Sequence, residues 1–136
     1  MSLDDDKLRA MVVLYLEKAS VFKNEAKVSK DMCMYPMAAN RMYYSLLNAV
    51  SALLLIDNHP THSHDGTKAL FGYHYVNTGI MTREEGRLFS KLETMRNRSD
   101  YDCYFNATAE MIEELFVPTM NLIEKVERLV KDKLEV

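Results

Sequence analysis

The sequence predicts an all-α fold, an up-and-down bundle of about five helices, and three observations carry that expectation. Four Gly and three Pro in 136 residues leave few places to turn a sheet. Apolar side chains recur at steps of three and four along most of the chain, the spacing that keeps one stripe on one side of a helix. Capping and stopping signals fall between those stripes. At 48% hydrophobic content the chain can bury one real core, so residues 1–136 are read as a single domain.

The first helix is expected over residues 4–30, with Leu8, Val12, Tyr15, Ala19, Phe22 and Ala26 inward. Asp4, Asp5 and Asp6 favour its positive end, and Lys27 and Lys30 its negative end. Pro36 ends that helix and suits the first turn of the next, over residues 37–57. That second helix is apolar nearly all round, which makes it the central, buried one. One strip of it differs: Arg41, Ser45, Asn48 and Ala52 share a side, and a subunit contact is the expected use of Arg41, Ser45 and Asn48.

A polar loop with His59, His62 and His64 follows. Its His-x-x-His-x-His spacing has no Cys or second carboxylate at a familiar ligand spacing, so no metal is expected there, and Ser63 reads as a helix cap. A third helix is expected over residues 64–77, stopped by Gly79, with His74 as a packing residue. Thr82 and Glu85 form a capping box that opens the fourth helix, whose inner stripe is Leu88, Leu92 and Met95. The last helix, capped by Asn106 or Thr108, runs to Leu134, and Pro118 is expected to kink it between residues 114 and 118 without splitting it. Glu124, Lys125, Glu127, Arg128, Lys131 and Asp132 read as its solvated face.

Net charge is −3, from 17 Lys plus Arg against 20 Asp plus Glu, so overall charge does not draw the protein to nucleic acid and any such binding needs a local patch. Cys33 and Cys103 make neither a disulfide framework nor a zinc pattern, which fits a reducing, cytoplasmic setting. No signal peptide is visible, and the apolar run from Leu53 to Ile56 falls far short of the ~18 residues of a membrane span, so no membrane is expected as a partner.

Chemistry concentrates in Met95-Arg96-Asn97-Arg98-Ser99-Asp100-Tyr101-Asp102. Arginine suits bidentate capture of phosphate or carboxylate, and Arg96, Arg98 and Arg41 are the candidate phosphate ligands. A second use is open to the same stretch, the neutralisation of a helix C-terminus by Arg96 and Arg98. The two arginines are not expected to share a role, because Arg96 lies at the edge of the buried stripe and Arg98 nearer water.

Three motifs point further: Ala38-Ala39-Asn40-Arg41-Met42-Tyr43-Tyr44; His62-Ser63-His64-Asp65-Gly66 with residues Leu70 to Gly79; and the stretch from Arg96 to Asp102. Together, in this order, they resemble the HEPN superfamily, and most of all its small stand-alone members with Asp-Tyr after the arginine. The resemblance implies a helical bundle, a two-fold dimer with the arginine motifs facing a cleft, and in many members metal-independent endoribonuclease activity, including toxins paired with nucleotidyltransferase-like antitoxins. The family's nuclease motif is Arg, often a polar residue such as Asn, then His after four to six positions. Arg96 and Asn97 match it, whereas the possible His positions hold Tyr101, Asp102 and Cys103. Tyrosine holds its proton to a pH of about 10, so this substitution favours phosphate binding over cleavage. The expectation is a dimeric module of a toxin–antitoxin or defence system that binds RNA, a nucleotide or a partner, with no cofactor. The alternative is an endoribonuclease toxin acting through Arg96, Asn97, Asp100 and Tyr101.

Overall fold

A computed structural model describes residues 3–135. Five α-helices follow one another: α1 (Leu3–Asp31), α2 (Tyr35–Ile56), α3 (His64–Phe71), α4 (Arg83–Tyr101) and α5 (Ala109–Leu134). Among the described residues there is no strand. Contacts along the helices set their directions. Ser45 meets Ala19 and Arg41 meets Glu25, so α2 runs against α1. Asn40 meets Asp100 and Tyr43 meets Glu93, so α4 runs against α2. Lys30 pairs with Glu113 and Lys23 with Glu127, so α5 runs against α1.

The second helix touches all the others and buries Tyr43, Leu46, Val50 and Leu53 completely. Small side chains bring α1 close to it: Ala19, Ala26, Ala38, Ala49 and Ala52 are all fully buried. Ser45 is buried in this seam and its hydroxyl donates to the Ala19 carbonyl at 2.6 Å. Ser45, expected at a subunit contact, is thus engaged within the chain and does not reach the surface.

Local chemistry sets the ends. Asp4, Asp5 and Asp6 lie in the first turn of α1. Pro36 sits in the first turn of α2, where its missing donor costs nothing. The Ser63 hydroxyl caps α3 by accepting from the Gly66 amide at 2.9 Å. A Cβ on residue 66 would lie 2.9 Å from that hydroxyl, so this close cap requires glycine. The third helix is shorter than expected, because Gly72–Val76 widens into a π-helical turn closed by the Asn77 amide on the Gly72 carbonyl at 2.9 Å. That turn places the Tyr75 hydroxyl on Asp57 at 2.6 Å. The capping box of α4 is complete, with Thr82 and Glu85 each accepting from the other's amide at 3.0 and 2.8 Å.

The last helix starts from the Thr108 cap and continues as one helix through Pro118, which is exposed. Its face is less solvated than expected. Glu127 is only 6% exposed, where it accepts from Lys23 of α1 at 2.8 Å. No helix among the described residues is long and apolar enough to cross a membrane.

Candidate functional site

The fourth helix carries Arg96 one turn after Leu92, on the face turned toward α2, and this register takes the side chain into the bundle with only 9% of it exposed. The second helix meets it with two adjacent tyrosines. The guanidinium carbon lies 5.0 Å from the Tyr43 ring centre and 5.1 Å from that of Tyr44, so two aromatic faces hold the cation. Its nearest carboxylate oxygen is Asp100 Oδ2, 3.7 Å from Nη1, and its buried Nε has no hydrogen-bond partner. A buried guanidinium normally has better company than this.

Asp100 ties the site to α2. Asn40 Nδ2 donates to the same Asp100 oxygen at 3.3 Å, and Arg41 Nη1 donates to Asn40 Oδ1 at 2.6 Å. Arg41 also stacks on Phe22 and pairs with Glu25, its Nε 3.5 Å from Oε1. Arg41 and Arg96 are thus joined through Asn40 and Asp100 into one polar track along the α2–α4 face. Beneath it, the Tyr43 hydroxyl donates to Glu93 at 3.4 Å, and Glu93 accepts from Lys68 at 2.7 Å. Burial, with the Glu93 charge adding to it, pushes the Tyr43 phenol up to about 12 against the opposing pull of Arg96, so this hydroxyl stays a donor at neutral pH.

The remaining candidates lie elsewhere. Arg98 is exposed, stacks on Phe105 at 4.3 Å and pairs with Asp102 at 3.8 Å, which puts it on a separate cavity of about 450 Å³ between α4 and α5. Asn97 is exposed, and Tyr101 is 80% exposed beyond the track. Asn48 donates to the Tyr44 carbonyl at 2.7 Å and lines a groove of about 480 Å³ between α1, α2 and the loop before α3.

Sequence reasoning gave no site role to three residues that complete this face. Tyr43 and Tyr44 entered only within the motif Ala38 to Tyr44 and the apolar helix that carries it, and no local pattern joins them to Arg96 on α4. His64 was read as part of the histidine-rich loop, as the start of the third helix and within the motif His62 to Gly66, but not as a partner of Arg96. As the first residue of α3 its ring lies 6.0 Å from Tyr43 and 5.8 Å from Tyr44, against the same two rings as Arg96. His59 and His74 stack on each other at 3.8 Å, away from the track. Among the described residues no group of three or more His, Cys, Asp or Glu is placed to hold a metal ion.

Comparison with known proteins agrees with this architecture. A UPF0332 protein of Thermotoga maritima is 30% identical over 95 residues, 70% of this chain and 72% of its own. A protein of Methanocaldococcus jannaschii named "Putative toxin MJ0605" is 26% identical over 127 residues, 93% of this chain and 94% of its own. A UPF0332 protein of Gloeobacter violaceus is 29% identical over 86 residues, 63% of this chain and 68% of its own. The HEPN domain profile matches residues 12–129, which take in α2, α3, α4 and most of α1 and α5 together with the Arg96 track, and the chain belongs to the HEPN domain family.

Proposed function

We propose that this HEPN domain is a homodimeric module that binds the phosphate of RNA or a nucleotide at Arg96, as part of a toxin–antitoxin or defence system in the cytoplasm. Within the family it groups with the small stand-alone members that carry Asp-Tyr after the arginine. One observation carries the reading: Arg96 is held nine-tenths buried on two tyrosine rings with a free Nε and only a 3.7 Å clasp to Asp100. A phosphate oxygen at that edge supplies the charge-assisted hydrogen bonds that the fold does not. The likeness to a protein named as a toxin over nearly the whole chain supports the system, with a nucleotidyltransferase-like antitoxin as the expected partner.

The second copy has a surface to occupy. Met11, Leu14, Val21 and Val28 lie at steps of three, seven and seven along α1, Met32 follows just past its end, and all are at least half exposed. Lys18 and Glu25 fill the intervening positions of this stripe. A two-fold antiparallel pairing centred near Val21 sets this stripe against its own copy.

Titration of a labelled single-stranded RNA oligonucleotide at several salt concentrations tests the phosphate site. Affinity is expected to fall as salt rises, and Arg96→Ala to weaken it at least tenfold, while Arg98→Ala changes it less than twofold. Equal losses in the two variants, or none in Arg96→Ala, would refute the assignment.

The endoribonuclease reading is favoured by a separate observation, the imidazole of His64 against the rings that hold Arg96.

A further inference from the structure

The motif stretch after Arg96 offers no imidazole, yet the fold brings one to the same platform from another element. His64 is fixed by its position, not by a bond to its own ring. The Ser63 cap sets the start of α3, and the loop before it is held by Thr61 on Thr67 at 2.7 Å and by Thr67 on the Ser63 carbonyl at 3.0 Å. The side chain is exposed and its ring lies edge-on to Tyr44, which carries Arg96 at 5.1 Å. Tyr43 is shared in the same way, with Arg96 at 5.0 Å and His64 at 6.0 Å. A cation and an imidazole are therefore set around one pair of aromatic rings.

Of these residues His64 and Tyr44 also line the groove of about 480 Å³. His64, Tyr44, Phe22 and Tyr15 give it an imidazole and three aromatic rings, while Asn48 and Lys18 supply a carboxamide and an ammonium. Rings accept unstacked bases, and an amide and a cation accept base edges and phosphate, which is the lining that single-stranded RNA requires. Duplex RNA could not present its bases to such a groove.

We propose that His64 is the proton-transfer residue of the Arg96 site, acting on single-stranded RNA whose base lies in the groove over Tyr44. This rests on the reading of Arg96 as the phosphate ligand. The 2′-oxygen attacks the adjacent phosphorus and forms the P–O2′ bond as its proton passes to the His64 imidazole. Arg96 holds the charge that builds on the phosphoryl oxygens. The P–O5′ bond breaks, the departing 5′-oxygen takes a proton from water, and the hydroxide left behind takes the proton from the imidazolium. Products are a 2′,3′-cyclic phosphate and a 5′-hydroxyl, and the protein returns to its starting state. No metal takes part.

The experiment incubates the full-length wild-type protein, His64→Asn, His64→Ala and Arg96→Ala with a single-stranded RNA of mixed sequence in the presence of a chelator. Binding is measured in parallel on the same RNA with a 2′-deoxy substitution throughout. Wild type is expected to cleave and leave cyclic phosphate ends. His64→Asn is expected to bind the uncleavable strand within threefold of wild type yet cleave at least 100-fold more slowly, the range removed with a general base. Added imidazole is expected to restore part of the rate to His64→Ala, which a merely structural histidine would not allow. Cleavage by His64→Asn at the wild-type rate, or bound RNA left uncut by wild type, overturns the proposal while leaving Arg96 as a binding residue. Failure of wild type to bind at all overturns the Arg96 reading, and this proposal with it.

Discussion

Arg96 and Glu127 show how far single residues could be read. Placing Arg96 at the edge of a buried stripe and Arg98 toward water needed only the helical period, and the structure separates the two onto different faces. The tyrosine platform was out of reach, because it forms between helices whose relative register no local pattern gives. Glu127 was misplaced although its neighbours held the clue: Ile123 four residues before it and Val130 three after are apolar, so it falls in the apolar stripe, and Lys23 comes from α1 to pair with it. Glu127→Ala strands that lysine beside a core. The expected cost is roughly 1–3 kcal/mol, below that of a fully buried pair because Lys23 keeps some solvent, and chemical denaturation measures it. Asp100 makes a prediction of the opposite kind. Its carboxylate competes with any phosphate for Arg96, so Asp100→Ala is expected to tighten binding of a short RNA about threefold. Weaker binding in that variant would mean that Asp100 helps to hold the ligand.

Elements were more legible than residues wherever their signals are local. The capping box at Thr82 and Glu85 follows from spacing alone and is present with both hydrogen bonds. The π-helical turn at Gly72–Val76 is different, since it is tied to Tyr75 reaching Asp57 at the end of α2, a partner distant in sequence. Thr82→Ala is expected to cost about 1 kcal/mol through the lost cap. Glu85 gives that cap a pH dependence: burial alone would raise its carboxyl, but the Thr82 amide and the Lys125 ammonium outweigh it and hold the group below its ordinary value. A lowered folded pKa means that the stabilisation is present above the unfolded carboxylate range and is lost as pH falls through the folded value. Lys125→Met is therefore expected to narrow the stability difference between neutral and acid pH, seen as a smaller shift in thermal midpoint. The α1–α2 seam is a tighter test of packing. Ala19 has no exposed surface and its carbonyl accepts from Ser45, so Ala19→Leu must push the helices apart, at a cost of roughly 1–3 kcal/mol.

At the scale of the whole molecule, a net charge of −3 leaves any nucleic-acid binding to local features, and the two proposed to serve it, the Arg96 track and the groove, both include Tyr44. Tyr15, Lys18 and Phe22 line the groove from the edge of α1 next to its exposed apolar stripe. A second copy docked on that stripe would set two grooves side by side across the two-fold axis, making a continuous path for one RNA strand from two short ones. Val21, near the centre of the pairing, is the position where a charge does most harm. Val21→Glu is expected to convert a dimer to a monomer in sedimentation velocity with no change in helical circular dichroism, since the residue is exposed in the single chain. Binding of a short oligonucleotide should be unaffected. Binding of a strand long enough to span both grooves should weaken at least tenfold, because the second contact no longer benefits from the effective concentration of the first. A wild-type chain that sediments as a monomer at tens of micromolar, or a variant that remains dimeric, would place the subunit contact elsewhere than on α1.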